Sequence, residues 1–222
     1  MDAQVTVITP TTGHNNLSRL MGSLEEQTVP YHHLLLWDDK REGCYDNPNA
    51  DPLGWNIADN ITSLVLKGSI VQGDACGSAL RAIGLMAANT PYVMFADTDV
   101  WYEKNHIENL LNLVDGSIWA FCRRKIWANE DDYIGIDNFE SVGNCDERKV
   151  PYLLVDNNTM IVARKFGASA AVLYRETEQY NDDRLMTEFL YKHAGNPAVT
   201  TQATVNQICP SRLEPFFREN CT

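Results

Sequence analysis

The chain has 222 residues and a formal charge of −12, from 18 Lys+Arg against 30 Asp+Glu. Hydrophobic residues at 44% and charged residues at 22% exclude a disordered chain, and the length fits one large domain or two small ones. The acidic balance argues against a nucleic-acid partner, which would need a basic face, and no stretch approaches the roughly 18–20 apolar residues of a transmembrane segment.

The chain opens with Val5-Thr-Val-Ile8, a β-branched run that reads as a buried strand entering a tight loop at Thr9-Pro10-Thr11-Thr12-Gly13. Leu17, Leu20, Met21 and Leu24 then recur at helical spacing, which predicts an amphipathic helix over 18–27 capped by Asn15 or Asn16. Leu34 to Trp37 is a second apolar run ending in Asp38-Asp39, and Ile61 to Leu66 reads as a third strand after a polar loop. Ser78 to Ala88 is a helix with Leu80, Ile83, Gly84 and Ala87 on one face. Tyr92 to Ala96 is a strand ending in Asp97-Thr98-Asp99, followed by a helix over 103–114 and a strand over 118–122.

After about residue 125 the character changes. The stretch 128–150 is polar, acidic and turn-rich, and reads as a loop over the site, a candidate acceptor loop or lid. Tyr152 to Val162 is a strand interrupted at Asp156-Asn-Asn158, Asp182 to His193 is a helix stopped by Gly195, and Val199 to Val205 alternates as a strand does. Alternating strands and helices predict an α/β fold with a mostly parallel sheet, whose ligands bind beyond the C-terminal strand ends.

Those ends carry the chemistry-bearing residues. Asp97 and Asp99, one residue apart past a buried strand, have the spacing and hard oxygen donors to share Mg²⁺ or Mn²⁺ beside a phosphate. A strand-end turn explains the same pair, and with 17 Asp in the chain a D-x-D arises readily by chance. Asp38-Asp39 fits a turn or a hydrogen bond to a nucleoside, and Arg81 fits an exposed helix position or a diphosphate contact. Asp182-Asp183 fits a helix cap or a general base, because adjacent carboxylates raise each other's pKa. Trp101, Trp119 and Trp127 fit core packing or stacking on sugar rings, and His193 fits packing or a metal shell.

The six cysteines, at 44, 76, 122, 145, 209 and 221, show no CxxC spacing and read as free thiols of a reducing compartment. With no basic-then-apolar leader in MDAQVTVITP, the expected location is the cytoplasm.

Taken in order, the motifs VTVITPTTG (5–13), SLEEQT (23–28), LLLWDDK (34–40), GSALRAIGL (77–85), YVMFADTDVW (92–101) and NDDRLMTEFL (181–190) resemble glycosyltransferases of the GT-A fold, most closely family 2. The resemblance spans nearly the whole chain. It implies a single Rossmann-like GT-A domain with a mixed, mostly parallel sheet, residues 1–125 forming a nucleotide-sugar-binding half and 126–222 an acceptor-binding half. It implies an inverting, metal-dependent transfer of one sugar from a nucleotide-diphosphate sugar, UDP favoured, to a hydroxyl of a glycan, lipid-linked or protein-linked acceptor. Pro10, Thr11, Thr12, Asp39, Arg81, Asp97 and Thr98 would line the donor. Asp99, with Asp97, would hold Mn²⁺ or Mg²⁺. Asp183, or else Asp182, would be the catalytic base, and Trp101 and Asn158 would meet the acceptor.

The sequence departs from the family where Lys40-Arg41 replaces a Gly-Ser turn and where the late acidic pair is Asp-Asp in place of Glu-Asp. The Gln-x-x-Arg-Trp motif and membrane helices of the processive synthases are absent, which implies a soluble enzyme adding one sugar per encounter. A retaining transferase, a sugar nucleotidyltransferase and a non-catalytic nucleotide-sugar-binding module remain as alternatives. The nucleotidyltransferase would normally carry a Gly-rich, basic loop where this chain has TPTTGHNN.

Overall fold

A computed structural model describes residues 2–11, 17–39, 60–67, 77–144, 149–174 and 182–221. Among the described residues the elements run β1 (Val5–Thr11), α1 (Leu17–Glu25), β2 (His32–Asp39), β3 (Ile61–Lys67), α2 (Ser78–Ala87), β4 (Tyr92–Phe95), β5 (Val100–Tyr102), α3 (His106–Val114), β6 (Trp119–Asn129), β7 (Asp132–Ile136), β8 (Met160–Ala163), α4 (Arg164–Ala170), α5 (Asp182–His193), β9 (Ala198–Ile208) and α6 (Glu214–Asn220).

The strands form one nine-stranded sheet of order β3-β2-β1-β4-β8-β6-β9-β5, with β7 beside β6. Strands β1, β2, β3, β4, β6 and β9 run one way, and β5, β7 and β8 run against them. This is the expected mixed, mostly parallel α/β sheet. The two sequence halves interleave within it, because β8 lies between β4 and β6.

Alternation along each strand splits the core into two layers. Val5 and Val7 of β1, Met94 of β4 and Ala120 and Cys122 of β6 pack with α1 and α3 on one face. Ile8, Val93, Phe95, Trp119 and Phe121 pack with α2 and α5 on the other. Helix α2 lies very close to the sheet: a Cβ on Gly84 would sit 2.4 Å from Ile8 Cγ2, so only glycine fits there.

Several expectations change. The opening strand does not end at Ile8 but continues through Pro10 to Thr11, pairing with Leu36 and Trp37 of β2. The strand expected over 118–122 runs on to Asn129 despite three consecutive basic residues, Arg123, Arg124 and Lys125. The stretch 128–150 is not all loop: β7 pairs back on β6, and the turn after it is pinned by Asp137, whose carboxylate accepts from the backbone N–H of Phe139, Glu140 and Ser141 at 3.1, 2.9 and 3.1 Å. No helix among the described residues is long and apolar enough to cross a membrane.

Candidate active site

The parallel strands β1 and β4 end side by side, held by the Ala96 N–H donating to Ile8 O at 3.0 Å. Pro10 and Thr11 close β1, and both are buried. Asp97, Thr98 and Asp99 follow β4 directly as a half-buried turn, in which the Val100 N–H donates to Asp97 O at 3.3 Å. Helix α2 starts against the same edge. Gly77 takes φ +80°, and a Cβ there would lie 2.8 Å from Pro10 Cβ, so glycine lets the helix start touch the strand end. One turn on, Arg81 is buried and its Nη2 donates to Asp97 Oδ1 at 2.5 Å.

Asp97 is held from its other side as well. Its N–H donates to Asn158 Oδ1 at 2.7 Å, and Asn158 Nδ2 donates to Asp97 Oδ2 at 3.1 Å. Asn158 sits in a 3-10 turn (Asn157–Thr159) whose cap, Asp156, accepts from the Asn158 N–H and from its Nδ2, both at 2.8 Å. The interruption legible at Asp156-Asn-Asn158 is therefore a turn that brings the antiparallel strand β8 in beside the end of β4.

Helix α5 points its N-terminus at this cluster. Asp182 is buried, accepts a hydrogen bond from Ser78 Oγ at the start of α2, and lies 3.7 Å from Arg81 Nη1. Asp183 is half-buried, and among the described residues no hydrogen bond occupies its carboxylate; only its main-chain carbonyl is engaged, accepting from Thr187 Oγ1 at 2.7 Å. The two acidic residues thus separate: one is hydrogen-bonded to α2, the other faces the cluster.

The electrostatics follow from crowding carboxylates in a poorly hydrated place. Burial first, then the charges of Asp97 and Asp156, push Asp99 up to about 7, against the pull of hydrogen bonds from its own backbone and from Gln207. Asp183 is held well above the usual carboxylate range by burial, then by Asp156, Asp97 and Asp182, with Arg81 opposing. Burial works against the charge of Arg81, but Asp97, Asp183 and Asp182 outweigh it.

This donor set fits a hard divalent cation. No group of three or more ligating side chains forms a closed cage among the described residues. Two carboxylates at a strand end, Asp99 partly open and Asp97 fixed in place, are what such an ion needs when substrate phosphate and water complete its shell. His193 does not join them: it packs on Phe189 with ring centroids 4.8 Å apart at the last turn of α5, about 15 Å along the helix from Asp183.

Of the other expected residues, Thr12 and the side chain of Asp39 lie outside the described residues. The buried guanidinium of Arg81 is committed to aspartates, and the amide of Asn158 is committed to Asp97 and Asp156 rather than to an open face. Trp119 is wholly buried and is a core residue. Trp101 is half-buried, with its ring 5.8 Å from Trp127 and the Arg19 guanidinium 4.7 Å above it; Trp127 in turn lies 5.0 Å from Tyr133.

Sequence reasoning missed Ser78, Asp156, Arg124 and Gln207. One signal was available: two arginines inside the apolar run WAFCRRKIW (119–127) imply buried cations that need acidic partners.

No family model matches the sequence and no curated protein matches it significantly. Solved structures do share its fold. S. aureus TarS superposes with a TM-score of 0.67 at 16% identity, covering 93% of this chain and 37% of TarS. TarS 1–349 in complex with UDP gives 0.64 at 18% identity, covering 96% and 62% of the two chains. TarS 1–349 in complex with UDP-GlcNAc gives 0.64 at 18%, covering 94% and 59%. The likeness bears out the expected GT-A-type fold, and the chain spans less than two thirds of TarS.

Proposed function

We propose that the chain is a glycosyltransferase that takes a nucleotide-diphosphate sugar, UDP-linked in the favoured case, and moves one sugar with inversion to a hydroxyl of a glycan, lipid-linked or protein-linked acceptor. The observation that carries the reading is the convergence of Asp97 and Asp99 at the end of β4 with Asp183 at the start of α5, beside the ends of two parallel strands. The UDP and UDP-GlcNAc complexes of TarS, on the same fold, favour the uridine donor.

In this reading Pro10, Thr11, Thr12 and Asp39 line the nucleotide and Thr98 lies along the donor. Arg81 fixes Asp97 and screens the acidic cluster. Asp99, with Asp97, would hold Mn²⁺ or Mg²⁺, which would supply positive charge beside the departing diphosphate. The Asp183 carboxylate takes the proton of the acceptor hydroxyl as its oxygen bonds to the anomeric carbon. The bond from that carbon to the phosphate oxygen breaks, and its electron pair leaves with the nucleoside diphosphate. The aromatic row of Trp101, Trp127 and Tyr133 offers faces on which an acceptor sugar can stack.

The test is a thermal-shift panel of UDP, GDP, CDP and UDP-GlcNAc, each with and without Mn²⁺. A ligand that binds the native state raises Tm by mass action. A manganese-dependent rise with UDP and UDP-GlcNAc is expected, and no rise with any member would overturn the reading.

A further inference from the structure

A second buried arginine stands behind the paired aspartates. Arg124, in the middle of β6, has four side-chain acceptors around its guanidinium. Nε donates to Asp137 Oδ2 at 2.9 Å and Nη2 to Glu140 Oε2 at 2.7 Å. Nη1 donates to Gln207 Oε1 at 2.8 Å and also to Asp156 Oδ2. Asp137 is itself fixed by three backbone N–H groups, so the plane of the guanidinium is set from behind.

One acceptor of Nη1 leads back to the D-x-D pair. Asp156 accepts from Asn158, and Asn158 brackets Asp97 through both ends of its amide. The direction of this arm follows from the cation. Asp156, which accepts from Arg124, only accepts, so Asn158 must turn its NH₂ to Asp156 and Asp97, leaving its oxygen for the Asp97 N–H.

We propose that Arg124 is a positioning residue of the D-x-D turn, orienting Asp97 through Asp156 and Asn158. The inference rests on the metal-binding role proposed for Asp97 and Asp99. Arg124 touches neither donor nor metal in this scheme; it decides where the Asp97 carboxylate points. Its contacts to Asp137 and Glu140 serve the fold, and that to Asp156 serves the site.

The experiment uses the whole chain, saturating UDP, and Mn²⁺ titrated with the loss of the free-ion EPR signal as readout; Tm is followed in parallel. Asn158→Leu is expected to weaken Mn²⁺ binding by about 10–100-fold, the usual cost of losing a partner behind a metal ligand, while metal-free UDP affinity stays the same. Arg124→Lys, which replaces the planar fork by a point donor, is expected to weaken it in the same way. The double variant should be no weaker than Asn158→Leu alone, because residues acting along one path are not additive. Glu140→Gln, which loosens the same guanidinium on its structural side, should lower Tm and leave Mn²⁺ affinity alone.

Folded Asn158→Leu and Arg124→Lys proteins with wild-type Mn²⁺ affinity would overturn the proposal, as would additive losses. A wild-type chain that binds UDP identically with and without Mn²⁺ would instead overturn the metal reading, and this inference with it.

Discussion

The structure separates the two members of the late acidic pair, so exchanging each for asparagine should give opposite results. Among the described residues no hydrogen bond occupies the Asp183 carboxylate, and burial and three neighbouring carboxylates hold its pKa high, with Arg81 opposing. Asp183→Asn removes the proton acceptor without changing shape. A general base is worth about 10²–10⁴-fold in rate, or about 3–5 kcal/mol of barrier. Asp182 is instead buried against Ser78 and Arg81. Asp182→Asn retains an acceptor for Ser78 but turns a charge-assisted hydrogen bond into a neutral one, a loss of about 1 kcal/mol, or about 2–4 °C in Tm for a chain this long.

Water can replace the unidentified acceptor, so the assay is UDP released from UDP-GlcNAc with Mn²⁺ present, followed from pH 5 to 9, alongside calorimetric UDP affinity. Wild-type hydrolysis should climb with pH, because only the ionised carboxylate takes a proton. Asp183→Asn should lose the activity while binding UDP as before. Asp182→Asn should keep most of it and move the acid limb to lower pH, since one of the anions holding the Asp183 pKa up is gone. Loss of hydrolysis in Asp182→Asn with retention in Asp183→Asn would refute this reasoning.

Three further outcomes are expected. In metal-free protein, Asp99 titrates near 7 when folded against 3.8 as its reference value, so the folded state binds the extra proton and Tm should fall as pH rises across that window; Asp99→Asn should flatten the fall, and an unchanged slope in a pH series of melting scans would count against it. Arg81→Met leaves half-buried Asp97 and buried Asp182 without their cation, a change that costs about 3–5 kcal/mol in buried pairs; a melting temperature lowered by about 6–20 °C is expected, and a loss under 2 °C would contradict the pairing. Gly84→Ala forces a Cβ into Ile8 and should destabilise by about 1–3 kcal/mol, read as a lower urea midpoint at constant slope; an unchanged midpoint would mean that α2 is free to move off the sheet.

The parts of this architecture that local physics dictates were readable from the sequence. Helix α5 spans Asp182–His193 as expected because two acids open it and Gly195, at φ +81°, follows its end. The D-x-D turn was placed by the buried run before it. What was not readable depends on distant partners. Expectation stopped β6 at Cys122, yet Arg124 stays inside a strand since Asp137, Glu140 and Asp156 arrive from later in the chain. Helix α4 carries Gly167 and only seven residues; it exists because that glycine admits Val93, where a Cβ would lie 2.8 Å away. Likewise Asp182 and Asp183 look equivalent in sequence, and only the approach of Ser78 separates them.

The weave of the sheet bears on how such a chain can be altered. Because β8 enters between β4 and β6, and β9 between β6 and β5, the later half of the sequence is stitched through the earlier half. A cassette exchange at residue 125, swapping everything downstream to graft a new acceptor preference, would pull out strands on which Asp97 and Asp99 depend. Diversity in this framework has to come from point substitutions rather than from the shuffling of halves.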